Sequence, residues 1–344
     1  MTMKTLASLA ATILVAVLGY TSLAPGDDGT PNAENVVEVT ARGLELEAPD
    51  EIPSGWTTFQ LKNESAMIHF AVLERLPDGI GIAEQQAEVA PVFQKGMDLL
   101  KAGNADAAME AFGGLPAWFG EIVFWGGPGL IAPERIAQTT VFLEPGTYLL
   151  ECYVKTDGIF HSYNPNPDAY GMVHEITVTE ETTEASAPEA DVEITISSER
   201  GIEVGGDVEP GDQTIAVHFA DQTTHEHFLG HDVHLVRLDE GTDVEALASW
   251  MDWTQPAGLE TAAPATFIGG LHEMPAGETG YFTAALEPGR YAWIAEVPNP
   301  AEKGMLQPFT VGGYDVGRVD RTGAKDAAGK AAGQTVASET PDGH

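Results

Sequence analysis

The chain has 344 residues, of which 53 are acidic and 16 basic, for a net charge of −37. That balance excludes nucleic acid and anionic membrane surfaces as partners, because both would repel it. A single cysteine excludes an internal disulfide, so packing and hydrogen bonds must hold the fold, and Cys152 is either an inert buried thiol or a ligand. A charged protein partner would be basic. Acidity of this degree equally suits a chain kept soluble at high salt.

The N-terminus carries Lys4, an apolar run from Leu6 to Tyr20, and Ser22 and Ala24 at signal-peptidase spacing. This predicts a signal peptide over residues 1–24 and an exported protein, periplasmic or extracellular. The run of 15 residues is short for a bilayer span, which needs about 20, and no cysteine follows it for lipid attachment. No stable membrane anchor is expected. The remaining ~320 residues suit two domains of ordinary size.

Residues 25–35, rich in Gly, Asp and Pro, read as a flexible leader. Val36 to Leu46 and Trp56 to Lys62 alternate as strands, and the second leads through Asn63 to the apolar run containing His69. From Ile82 to Phe112 the period turns helical, with Asn104 placed to cap a second short helix. Pro91 and Gly96 weaken the first of these helices. The stretch reads as a helical insertion between strands. Residues 179–191 are acidic, small and free of aromatics, which marks a linker between domain 1 (36–178) and domain 2 (192–312). Residues 313–344, with five acidic and four basic residues and hardly any apolar anchor, read as a disordered tail.

The two halves read as copies. His69-Phe-Ala-Val-Leu-Glu-Arg-Leu matches His231-Asp-Val-His-Leu-Val-Arg-Leu, and Phe124-Trp-Gly-Gly matches Phe267-Ile-Gly-Gly. Leu143-Glu-Pro-Gly-Thr-Tyr matches Leu286-Glu-Pro-Gly-Arg-Tyr, and Gly171-Met172 matches Gly304-Met305. In the second half Thr242 and Glu245 form a capping-box pair ahead of Leu247 and Trp250. Ala295 stands where the first half has Cys152, and the loop after it is shorter and lacks histidine.

The stretch from Leu143 to Val178 reads as strand, wide loop and strand. Alternation puts Tyr148, Leu150, Cys152 and Val154 on one face, and Leu149, Glu151 and Tyr153 on the other. His161 follows in the loop, which closes on Gly171-Met172. A thiolate, an imidazole and a thioether thus gather at one end of a sandwich, and one more histidine completes a blue-copper set.

A Pro-Gly-x-Tyr strand leading to cysteine, then histidine, then Gly-Met, with an earlier histidine after an Asn-containing turn, resembles the cupredoxin family of plastocyanin-like and azurin-like proteins. The resemblance covers both halves. It implies an all-β fold of two tandem Greek-key cupredoxin-like β-sandwiches, the first with the helical insertion over about 82–112. It further implies one copper in domain 1, held by His69, Cys152, His161 and Met172, and one-electron transfer to a redox or envelope protein partner. Eight residues separate Cys152 from His161 and ten separate His161 from Met172, a wider loop than in plastocyanin-like proteins, and His174 competes for a ligand position.

Other readings stand beside this one. Cys152 as a small buried hydrophobe and Met172 as core filling would make the protein a metal-free cupredoxin-like binding module of the envelope. In the second half His225, His227, His231 and His234 suit a surface site for Cu(II) or Zn(II), and hence copper sequestration. The chain has no histidine beside Cys152 and only one His-x-His, His225-Glu-His227, which argues against multicopper oxidases and nitrite reductases and for a carrier or binding protein.

Overall fold

A computed structural model of the chain describes residues 35–225 and 228–312. The expected signal peptide, most of the leader, the tail and His227 lie outside the described residues.

The architecture is all-β, two sandwiches in tandem with a helical insertion in the first. Strands β1 (Val36–Arg42), β2 (Glu45–Glu47), β3 (Glu51–Asn63) and β4 (Val72–Arg75) come first. The insertion follows: α1 (Ile82–Glu84) runs through a π-helical turn, Gln85–Val89, into α2 (Ala90–Lys101), and α3 (Ala105–Phe112) folds back on it. Then come β5 (Val123–Phe124), β6 (Ile136–Leu143), β7 (Gly146–Glu151), the short pair β8 (Lys155–Thr156) and β9 (Ile159–Phe160), and β10 (Val173–Thr182). β10 continues past Val178 into the stretch that composition marks as linker, because its end still pairs with Ser54 of β3.

The second half repeats the order with β11 (Val192–Ser197), β12 (Gly201–Gly205), β13 (Gly211–Phe219), β14 (Val233–Arg237), α4 (Val244–Trp250), β15 (Thr266–Leu271), β16 (Thr279–Leu286), β17 (Gly289–Ile294) and β18 (Leu306–Val311). The pairings recur too. β1 is parallel to β3 as β11 is to β13, and β4 pairs β7 and β7 pairs β10 as β14 pairs β17 and β17 pairs β18. Inward positions of β1 are Val37, Val39 and Ala41, all buried, with exposed or half-exposed residues between them. Each such aliphatic side chain removed from water contributes about 1.5–3 kcal/mol for the larger ones.

The halves join edge to edge. β16 pairs antiparallel with β6 through Phe282↔Thr139 and its neighbours, so one sheet crosses the whole molecule and neither of these edges stays open for aggregation. A second tie is Lys155, wholly buried, whose Nζ donates to the carbonyls of Trp253 (2.6 Å) and Gln255 (2.8 Å) in the other half. Burial lowers its pKa to about 8.

Three local expectations change. Gly96 does not merely weaken α2: a Cβ there would lie 2.1 Å from the Phe112 ring, so the glycine lets α3 pack close. Asn104 occupies the N-cap position of α3, but its side chain makes no capping bond. The cap of α4 is Asp243, whose carboxylate accepts from the N–H of Glu245 and Ala246, in place of the Thr242–Glu245 pair.

Candidate metal centre

His69, Cys152 and His161 meet at one end of the first sandwich, and all three are buried. Three separate features deliver them. His69 lies in the approach to β4 and bridges to Ile131 in both directions, its N–H donating to the Ile131 carbonyl and its carbonyl accepting in return. Cys152 is the first residue beyond β7, and His161 the first beyond β9.

The donor atoms face one another. Cys152 Sγ is 3.5 Å from His69 Nδ1 and 3.9 Å from His161 Nδ1, and the two imidazole centres are 5.0 Å apart. The far nitrogen of each ring is held by a hydroxyl: His69 Nε2 by Ser65 Oγ at 2.8 Å and His161 Nε2 by Thr156 Oγ1 at 2.9 Å. Ser65 is itself fixed by Asn63, whose Oδ1 accepts from the Ser65 N–H while its Nδ2 donates to the carbonyls of Met67 and Ile131. Outer partners of this kind fix the ring orientation, leaving Nδ1 of each histidine turned toward the sulfur.

Burial keeps all three groups uncharged. It pushes the Cys152 thiol up to about 12 and the His69 and His161 imidazoles down to about 4 and about 3. Two neutral imidazoles are ready to ligate; the thiol must first lose its proton.

Met172 is wholly buried, and its backbone ties to two of these residues: its N–H donates to the His161 carbonyl at 2.7 Å, and its carbonyl accepts from the Cys152 N–H at 3.1 Å. In the second half the Ala295 N–H donates to the Met305 carbonyl at 3.0 Å in the same way. His174 stands apart on β10, its Nε2 3.3 Å from Asp50 Oδ1.

The wide loop from Cys152 to Met172 is held by the helical insertion. Gln86, in the π-helical turn, donates to the Ser162 carbonyl (2.9 Å) and accepts from the Gly171 N–H (2.7 Å), clamping the two sides of the loop together. Gln94 accepts from the Phe160 N–H and donates to the Gly158 carbonyl, and Lys101 donates to the Asp157 carbonyl. A π turn aims side chains that regular α-helix would point elsewhere. The clamp leaves no room at Gly171, where a Cβ would lie 2.1 Å from the Ser162 carbonyl oxygen. Gly171→Ala should therefore cost about 1–3 kcal/mol by overpacking, read as a lower midpoint in chemical denaturation; an unchanged midpoint would show that the loop yields freely.

The sequence assigns opposite faces to Cys152 and its neighbours Glu151 and Tyr153, but not what covers theirs. Glu151 is buried, accepts from Gln85 Nε2 at 2.5 Å, and is raised by burial to about 7. It lines a cavity of about 70 Å³ together with Glu74, Tyr153, Phe93, Trp253 and Glu273. Tyr153 donates to Glu296 Oε2 at 3.2 Å.

Of the four second-half histidines named from their spacing, His227 lies outside the described residues, and the other three divide between two places. His231 is buried with its Nδ1 3.2 Å from the Asp221 carbonyl oxygen, and its ring lies 5.0 Å from that of His225. His234 lies within β14, whereas His231 precedes it, and turns instead to Asp232 and His272.

No protein-family model matches this chain, and no curated protein matches it. Among solved structures it is similar to auracyanin A, a "blue" copper protein from the green thermophilic photosynthetic bacterium Chloroflexus aurantiacus, at 20% identity over 43% of this chain and 100% of that one, TM-score 0.25. It is similar also to auracyanin from the photosynthetic bacterium Roseiflexus castenholzii, at 23% identity over 43% and 98%, TM-score 0.22. A multicopper oxidase spans more of it, 86% of this chain and 93% of that one, at 14% identity and TM-score 0.19.

Proposed function

We propose that the protein is an exported cupredoxin-like carrier that binds one copper ion through His69, Cys152 and His161, with Met172 as the weak fourth ligand, and passes electrons singly. The observation that carries this is the convergence of one buried sulfur and two buried Nδ1 atoms, at 3.5 and 3.9 Å from the sulfur. Sulfur and imidazole together suit both Cu(I) and Cu(II), and a cage pre-set by Ser65, Thr156 and the Gln86 clamp needs little rearrangement when the charge on the ion changes. When bound, copper would supply a reversible one-electron couple; the protein supplies a dry, fixed set of donors.

Several features favour a carrier over an enzyme. Glu151 and Tyr153, not histidines, flank Cys152, so the chain lacks the residue that would pass electrons straight to a further copper in oxidases. The net charge of −37 favours a basic redox partner, because opposite surface charges speed encounter. Thr156 and Thr261, whose hydroxyls lie 3.2 Å apart, are only half buried and mark a short path from His161 to the surface. Among the described residues no helix is long and apolar enough to cross a membrane.

The test is the visible absorption spectrum of the mature protein after Cu(II) addition and removal of excess metal. An intense thiolate-to-copper band is expected, lost in Cys152→Ala. A colourless, copper-free protein would leave a metal-free binding module.

A further inference from the structure

The second sandwich brings a separate set of donors together, and strand register explains how. β14 lies between β15 and β17, with His234 opposite Gly270 on one side and Ile294 on the other. Just beyond the ends of these strands, where the pairing of His234 would continue two residues on, stand Asp232, His272 and Glu296. All four are at most 1% exposed. Asp232 Oδ2 is 2.8 Å from His234 Nε2, and Asp232 Oδ1 accepts from the Glu296 N–H at 2.7 Å. The His234 and His272 ring centres are 5.1 Å apart. One oxygen of Asp232 and one nitrogen of each histidine all lie within 4.8 Å of one another.

The group is unfinished as a hydrogen-bond network. Both ring nitrogens of His272 are buried with no hydrogen-bond partner, and so is Glu296 Oε1. A buried imidazole with two orphaned nitrogens is costly, and the expense is explained if something absent from the polypeptide satisfies it.

We propose that Asp232, His234 and His272 form a second metal site, for a borderline divalent cation, Zn(II) or Cu(II). The donor set decides the class: two imidazoles and one carboxylate with no sulfur suit these ions, whereas Ca(II) and Mg(II) require mostly oxygen and Cu(I) favours sulfur. Ligation through His234 Nε2 moves the ring proton to Nδ1, which then gives up the 3.2 Å contact it accepts from the Leu130 N–H. Glu296 stands beside the site, its Oε2 held by Tyr153 and its backbone by Asp232.

The site also abuts the first one. Phe70, next in the chain to His69, packs edge-on against the His272 ring at 4.6 Å, and Tyr153, next to Cys152, bonds to Glu296. The proposal does not depend on the copper reading, since every ligand comes from the second half.

The test uses the full mature chain carrying Cys152→Ala, stripped of metal, so that no sulfur donor remains. Titration with Co(II), whose d–d absorption reports its ligands, and with Zn(II) by mass spectrometry, should each show one bound equivalent and a raised melting temperature. Adding His272→Phe, which keeps a ring packed against Phe70, or Asp232→Asn should abolish the bound equivalent while circular dichroism shows the chain still folded. A folded Cys152→Ala protein that takes up neither ion would overturn the proposal. So would retention of the ion in folded chains of both added variants, which would place it at His69 and His161 or at His225 and His231.

Discussion

Without metal, the protein should lose stability as pH rises from about 6.5 to 8, the reverse of ordinary acid denaturation. Burial raises Glu151 to about 7 and Glu273 to about 8, and holds Glu74 and Glu296 well above the usual carboxylate range. In the unfolded chain these groups lose their protons near pH 4.5; in the fold they keep them, so the folded state binds more protons and stability falls as pH climbs. Buried histidines pull the other way, but only on the acid side. His69, His161, His231 and His272 are all lowered by burial, so they cost stability as pH drops below about 6.5, where the unfolded imidazoles charge. Between about 4.5 and 6.5 the two sets oppose each other; above that range the carboxyls dominate, countered only near pH 8, where Lys155, lowered by burial to about 8, begins to lose its proton in the fold. Each excess proton is worth about 1.4 kcal/mol per pH unit, so the decline from pH 6.5 to 8 should reach a few kcal/mol. Urea denaturation of metal-free protein across this range measures it, and Glu273→Gln should flatten the slope by one proton. Stability that instead rises toward pH 8 would mean that water in the cavity lets these carboxyls ionise freely.

The strands, the insertion and three of the candidate ligands were legible because their signals are local. Val37, Val39 and Ala41 alternate within one strand; Cys152 and His161 sit in one loop; Asn63 and His69 are six positions apart. What stayed hidden depends on contacts between distant parts of the chain. Gln86 reaches Ser162 and Gly171 across 76 and 85 positions, and a glutamine in a polar helix carries no mark of such a task. Gly96 looks like a helix weakener until Phe112 is seen against it. The Asp232, His234 and His272 grouping required the way β14 and β15 bring their ends together; spacing alone favoured His225, His227, His231 and His234, which are near in sequence. Glu151, Glu273 and Glu296 were lost among 53 acidic residues, and only burial separates them from the rest.

Those hidden contacts account for a feature that the sequence leaves odd, the unusual width of the Cys152 to Met172 loop. A loop this long costs little more entropy to close than a short one, but it would not by itself hold His161 in place. The insertion supplies the missing constraint through Gln86, Gln94 and Lys101, while the second half closes the other side through Thr261, whose N–H donates to the Lys155 carbonyl. The long loop, the insertion and the second sandwich thus act as one device for holding His161 against Cys152.

Copper affinity should in turn rise about tenfold for each pH unit between about 5 and 8, roughly three orders of magnitude in all. The reason lies in which groups hold protons before the ion arrives. The Cys152 thiol, pushed up to about 12 by burial, is fully protonated throughout this range, and the ion can be held by sulfur only if that proton leaves. His69 and His161, lowered to about 4 and about 3, are already neutral and release nothing. One proton therefore leaves per ion bound, and mass action makes affinity fall as pH falls. Below about pH 4 the slope should steepen toward three, as both imidazoles must also be deprotonated. Competition against a chelator of known proton linkage at several pH values measures the slope, and Cys152→Ala should flatten it across the neutral range while weakening the binding. An affinity that does not change with pH in the unaltered protein would mean that the ion is not held by the Cys152 thiolate, whatever else in the molecule holds it.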